Sequence, residues 1–181
     1  MLRAIYHYLK HRFGRFLANI SSENGTDESR QLIDPDEVCA RFLFDSNEFS
    51  FDSVKDKAFK PNAKTNNVSI YISSRFASQQ DFEITRQNVT EKRGRSLKAQ
   101  AEFLACAVDD VRDEVLDDGI LTSIRLSLDE RANPHDETGH QHHLRGNPHH
   151  ANIEGWPADK QHQILIQKAL AARCRLVKFG T

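Results

Sequence analysis

Cysteine is scarce in this chain of 181 residues, and the three present, Cys39, Cys106 and Cys174, are odd in number and far apart. They build neither a disulfide framework nor a paired zinc-ligand motif, so a reducing, intracellular setting is expected. Long apolar runs are missing too. Nothing approaches the roughly 18 consecutive apolar residues of a bilayer-spanning helix, and no apolar stretch with a small-residue cleavage site stands at the start. Charge of one sign is also lacking: 25 Lys and Arg face 26 Asp and Glu, for a net charge of -1. That removes the whole-chain basic excess of a general nucleic-acid coat and leaves no strong nucleic-acid signal. The sequence contains no Gly-x-Ser-x-Gly nucleophile elbow, no His-Glu-x-x-His and no Gly-rich loop ending in Gly-Lys-Ser/Thr.

Near-neutrality hides alternating blocks. Residues 1–20 carry +4, 21–60 carry -5, 61–100 carry +4, 101–130 carry -7 and 131–181 carry +3. In the first block Leu2, Ile5, Tyr6, Leu9, Phe13, Phe16, Leu17 and Ile20 recur at spacings of three and four, which predicts an amphipathic helix. Its other face holds Arg3, Lys10, Arg12 and Arg15, and no carboxylate occurs before Glu23. An acid-free, aromatic-rich amphiphile of this kind suits an anionic membrane surface, a partner helix or the face of the following body, and it also resembles an organellar presequence. Gly14 costs about 1 kcal/mol of helix propensity relative to Ala, so the helix needs a surface to fold against. Residues 21–36 begin with the polar stretch SSENGTDESR, which predicts a flexible linker.

The body, residues 37–181, is expected to be a single α+β domain: a small mixed or antiparallel sheet with helices on at least one face. Strands are predicted at Val38–Phe44, Val68–Ser73, Leu97–Phe103 and Ile120–Asp129 from β-branched, aromatic or alternating content. The strict alternation of Leu97, Ala99, Ala101 and Phe103 predicts a half-buried strand. Between the first two strands an irregular loop is expected, held down by Phe49, Phe51 and Phe59. A helix is predicted from Ser78 to Arg93, with Phe82, Arg86, Val89 and Arg93 on one side and Gly94 as its stop. Val108, Val111 and Val115 predict a second helix with an acidic outer face and Gly119 at its end. Asp113 and Asp117 lie one turn apart, but the spacing fits no calcium loop, so a solvated face is expected. The last helix is predicted to open at Trp156 and Pro157 and to bury Leu165, Ala169, Ala172 and Leu176, with Ile166 and Leu170 widening the stripe.

Histidine supplies the main chemical anomaly. Six of the nine, His135, His140, His142, His143, His149 and His150, fall within sixteen residues, in a loop placed at 130–148 and its exit. Neutral imidazoles bind zinc and other divalent transition metals, and Asp136 or Glu137 adds an oxygen donor. The candidate metal ligands are His140, His142, His143, His149 and His150. Against them stand Asn133, Pro134, Gly139, Gly146, Asn147 and Pro148, which predict a loop that does not preorganise ligands. The cysteines sit in apolar or helical settings and are expected to be inert.

The segment His149-His150-Ala151-Asn152-Ile153-Glu154-Gly155-Trp156-Pro157, followed by Ala158-Asp159-Lys160 and a helix rich in Ala and Leu, resembles the C-terminal signature of a family of small, uncharacterised bacterial proteins carrying His-Ala-Asn-Ile-x-Gly-Trp-Pro. Cys39-Ala40-Arg41-Phe42, Lys57-Ala58-Phe59-Lys60-Pro61 and Gly94-Arg95-Ser96-Leu97-Lys98-Ala99 match more weakly, and the resemblance spans residues 37–178. It implies a bacterial-type soluble domain and no particular reaction. The basic start and the His-rich loop depart from it. Physically the motif is a strand-to-helix corner in which Ile153 points inward, Gly155 permits a tight backbone and Trp156 covers the core edge. His150, with Arg41 and Asn152, is the candidate catalytic group. The expected function is that of an accessory protein of the cytoplasm, working by protein association or at an anionic membrane surface and holding no cofactor. The alternative is a metal-dependent hydrolase or nuclease using the His-rich loop.

Overall fold

The computed structural model describes residues 33–128 and 149–179. Its strands are β1 (Val38–Leu43), β2 (Val68–Ile72), β3 (Ala99–Leu104), β4 (Arg125–Leu128), β5 (His150–Glu154) and β6 (Arg175–Lys178). All pair antiparallel in one sheet of order β4-β5-β2-β1-β3-β6. Three helices accompany them, α1 (Gln79–Arg93), α2 (Cys106–Asp117) and α3 (Lys160–Ala172), with a short 3-10 turn at Asp56–Phe59. The predicted helix at residues 1–20, most of the linker and the loop at 130–148 lie outside the described residues.

Because successive side chains point to opposite faces of a strand, the register sorts the core into two parts. Cys39, Leu43, Val68, Ile70, Ile72, Ala99, Ala101, Phe103, Ala151 and Ile153 face one way and are covered by Ala107, Val108, Val111 and Val115 of α2, Ile166, Leu170 and Ala171 of α3, and Ala58 and Phe59 of the 3-10 turn. Ala40, Phe42, Phe44 and Tyr71 face the other way and are covered by Phe82 and Val89 of α1. On the second face of β3 Gln100 is buried, although alternation places it opposite Ala99 and Ala101, while Glu102 is half-buried and Leu104 is 46% exposed. Ala99, Ala101 and Phe103 form the buried face that the alternation predicts, but Leu97 packs with the α1 side rather than with Ala99.

The ends of α1 follow its sequence signals. The Ser78 Oγ accepts from the Asp81 N–H at 3.2 Å, and Gly94 takes the left-handed conformation at φ 59° while Arg95 N donates to Thr90 O, as a capped helix requires. Phe82 and Val89 are buried, Arg86 lies 3.4 Å from the Phe179 ring centroid and Arg93 lies 4.9 Å from that of Phe44, so the predicted face is the one that meets the sheet.

Three expectations need correction. The last helix opens at Lys160, not at Trp156 and Pro157, because the Asp159 carboxylate accepts from His162 N and caps it; Pro157 contributes its carbonyl to Gln163 Nε2 at 2.8 Å. Its buried stripe is Ile166, Gln167, Leu170 and Ala171, while Leu165 is 48% exposed and Ala172 is exposed. Leu176 belongs to β6, which pairs with β3. Residues 33–36, assigned to the linker, are part of the body: Ile33 packs on the core, and Cys106 N donates to Pro35 O. Of the loop phenylalanines, Phe59 is buried and Phe49 packs on the core, whereas Phe51 is 89% exposed.

Candidate functional site

The sheet places His150 and Asn152 on the α1 side, across from Tyr71 and Ser69 respectively. A diagonal reach across an antiparallel pair suits a long side chain, and His150 Nε2 comes to 2.7 Å from Ser69 Oγ. The same imidazole meets the Tyr71 ring edge-on at 5.4 Å. His150 is 4% exposed and Asn152 9%, and Asn152 also faces Ser127 of β4. Ser127, Asn152, Ser69 and His150 thus form a polar patch on a sheet whose opposite side, at Ala151, Ile153 and Val68, is hydrocarbon.

Arg41 approaches the same serine from a different direction. β1 and β2 pair at Cys39–Ile72 and Ala40–Tyr71, where their ladder stops. The Arg41 guanidinium takes over as donor beyond that point, Nη1 to Ser69 O at 2.9 Å and Nε to Ala58 O at 3.1 Å. A buried carbonyl needs a partner, and one rigid fork satisfies two of them while tying the 3-10 turn to β2. Burial pushes the guanidinium down to about 10, opposed by Glu48, so it keeps its charge at neutral pH. Of the three predicted residues, His150 and Asn152 share the face of the Ser69 side chain, His150 at its hydroxyl and Asn152 at its cross-strand position, while Arg41 starts from the opposite face of the sheet and reaches only the Ser69 carbonyl. Ser69 itself went unnoticed in the sequence because it lies inside an apolar strand and only the register brings it to His150.

Aromatic rings enclose the patch on one side. His149 stacks on Phe76 at 4.2 Å; Phe76 meets Phe82 at 5.0 Å, Phe82 meets Phe42 at 5.8 Å, and Phe42 stacks on Tyr71 at 4.7 Å. With Tyr71 touching His150, the arc begins and ends on two consecutive histidines. Burial pushes the Tyr71 hydroxyl up to about 12. Burial, and next the nearby Arg75 charge, hold His149 below its ordinary value, with Asp81 opposing.

The predicted metal ligands divide. His140, His142 and His143 lie outside the described residues, as do His135, Asp136 and Glu137. His149 and His150 are described and engage Phe76, and Ser69 with Tyr71, respectively. Among the described residues no group of three or more His, Cys, Asp or Glu is arranged to hold a metal ion. On α2, Asp109 and Asp113 both hold Arg112, at 2.7 and 3.1 Å. Burial drives the Cys39 and Cys174 thiols up to about 12, away from the thiolate that nucleophilic attack needs. Among the described residues no helix is long and apolar enough to cross a membrane.

As to chemistry, a hydroxyl and an imidazole at hydrogen-bond distance are the parts of a nucleophile–base pair, and equally the parts of a satisfied buried polar cluster. No protein-family model, curated protein or solved structure matches the chain.

Proposed function

We propose that the protein is a small accessory protein that works by association, with the basic amphiphile at residues 1–20 attaching it to a protein partner or to an anionic membrane surface. The observation that carries this reading is the pattern of that segment: eight apolar residues at helical spacing, four Arg or Lys at the positions beside that stripe, and no carboxylate before Glu23. A helix of that composition gains by burying its apolar face and by placing its cations near negative charge. The internal use of the candidate catalytic groups supports the same reading, since Arg41 serves two backbone carbonyls and His150 serves Ser69. The test is Leu9→Glu/Phe13→Glu in the full chain, measured by co-sedimentation with phosphatidylserine vesicles and by co-purification of neighbours. Loss of either association is expected; wild-type behaviour in both assays rejects the reading.

A hydrolytic second reading is favoured by one contact, the 2.7 Å approach of His150 Nε2 to Ser69 Oγ. Ser69→Ala with full retention of any ester or phosphodiester hydrolysis found in the wild type removes that version. Zinc content of untagged protein tests its metal-dependent form through the His-rich loop.

A further inference from the structure

The stripe by which α1 meets the sheet reads Phe82, Arg86, Val89, Arg93, so every second position in it is a cation, and Phe82 and Val89 are the helix's two buried apolar side chains. The stripes of α2 and α3 are apolar apart from Gln167. Arg86 lies over the Phe179 ring and donates from Nη1 to Glu83, but its Nε is buried and makes no hydrogen bond within the chain. On the sheet, Gln100 lies in register with Phe42 and Val177, and Phe179 follows two residues after Val177 on the same face. Gln100 Nε2 donates to Glu102 Oε1 at 2.6 Å, while its Oε1 is buried and receives no donor. A donor and an acceptor are thus both unpartnered on one flank of the contact between α1 and the sheet. Each costs the closed arrangement free energy that hydration returns when the contact opens.

The two ends of α1 are fastened unequally. Ahead of it Arg75 grips Glu37 twice, Nε to Oε1 at 2.5 Å and Nη2 to Oε2 at 2.7 Å, with the two side chains 15% and 17% exposed. Phe76 adds its contacts with His149 and Phe82. Behind α1, Gly94 turns in the left-handed conformation and Arg95 pairs with Asp45, but these two side chains are 50% and 46% exposed, and an exposed pair holds weakly. The sheet is next secured at Lys98, whose N donates to Leu43 O. Residues 94–97 lie between, and four extended residues span roughly 13 Å, enough slack for the carboxyl end of α1 to leave the sheet while β3 stays paired.

We infer that α1 is a hinged cover: in the folded protein its carboxyl end lifts off the sheet about the Phe76–Ser78 end, baring Ala40, Phe42, Phe44 and Tyr71 while the aliphatic side stays closed. This device belongs to the body alone and does not depend on residues 1–20. Off the sheet, a helix of 15 residues is marginal in water, so lifting also frays it and local opening becomes visible at its amides. Anything that binds these rings meets them in the open form, and its apparent affinity is scaled by the open fraction.

Two readouts on the full chain test it. Cys39 and Ala40 are adjacent in β1, fully buried, and on opposite sides of the sheet. A chain whose one thiol comes from Ala40→Cys, with Cys39→Ala, Cys106→Ser and Cys174→Ser, is expected to react with a disulfide reagent about a hundredfold faster than a chain that keeps Cys39 alone. In hydrogen exchange on the wild type, the α1 amides from Ile84 to Arg93 are expected to exchange about a hundredfold faster than the paired amides of β1 and β2, and with a weaker dependence on urea. Arg86→Leu, which removes the unpartnered Nε, is expected to slow α1 exchange about tenfold and leave β1 and β2 unchanged. Equal thiol rates in the two folded chains, or α1 amides that share the rates and urea dependence of the sheet, overturn the inference. So does an Arg86→Leu chain in which helix and sheet slow alike, because the opening is then global. If the Ala40→Cys chain does not fold, the exchange comparison on the wild type decides by itself.

Discussion

The two sides of the sheet solve burial differently. Under α2 and α3 the interior is mainly aliphatic, with Ile70, Ile72, Ile153, Ile166, Leu170, Val108 and Val111 almost wholly removed from water. Under α1 the interior is a run of rings, Phe42, Tyr71, Phe82 and Phe76, leading to His149 and His150 and bordered by Ser69 and Asn152. Aliphatic packing is non-directional and tolerates no water; ring packing has preferred geometry and admits polar edges. The aliphatic side reads as scaffold, and the aromatic side is where chemistry-bearing residues are tolerated.

The largest expected effect is on the aliphatic side. Phe59→Ala should cost about 3–5 kcal/mol in urea unfolding, since Phe59 is fully buried edge-on to Phe103. Gly155→Ala should cost about 2–4 kcal/mol: φ is 77°, and a Cβ there would lie 2.2 Å from the Ser123 carbonyl oxygen. Arg41→Met should cost about 2–3 kcal/mol by leaving the Ala58 and Ser69 carbonyls without their donor, and Arg41→Lys should restore little of it, because one ammonium does not reproduce the fork. On the aromatic side a double-mutant cycle of Phe42→Leu and Phe82→Leu should show about 0.5–1.5 kcal/mol of coupling, whereas the distant pair Phe82→Leu and Ile166→Val should be additive.

The subtlest effect is in pH. His149 titrates lower in the folded chain than its ordinary 6.5, so the unfolded chain takes up the proton first. Stability owed to neutral His149 is complete above that value and is lost as pH falls from there through the folded one. Glu37, held down chiefly by its hydrogen bond from Arg75, adds a second loss beginning below 4.5, its ordinary value, as pH falls through the folded one. His149→Phe, which keeps a ring on Phe76, should abolish the upper stage and leave the lower, as read by urea midpoints across pH. An unchanged upper stage would show that another group produces it.

Much of this was legible in order along the chain. Local signals were sufficient for α1, where Ser78 and Gly94 bound a segment whose Phe82 and Val89 repeat at helical spacing, and for α2 with its valines. They failed where two elements follow one another without a break in periodicity: Ala169, Ala172 and Leu176 keep helical spacing across Arg173, so β6 was hidden in the helix that precedes it. Asp159 rather than Pro157 starts that helix because a side-chain acceptor for a free N–H outweighs a favourable φ. Alternation places Gln100 on the outward face of β3, and its burial there comes from neighbours that a local pattern does not report. His150, Asn152 and Arg41 could be singled out by type, but their meeting point at Ser69 depends on the β2–β5 register, which is nonlocal.

The strand order also has a temporal side. Three contiguous strands, β2, β1 and β3, come from residues 38–104, and β4, β5 and β6, which flank them, come later. During synthesis the middle of the sheet emerges first, and domains tend to fold from the amino-terminal end as the ribosome proceeds. α1 is available to shield one side at once, yet Ile166 and Leu170 follow some sixty residues after β3 closes. Until they emerge, the part of that flank not covered by α2 is left open to a holding chaperone, and translation speed across residues 118–172 sets how long that exposure lasts.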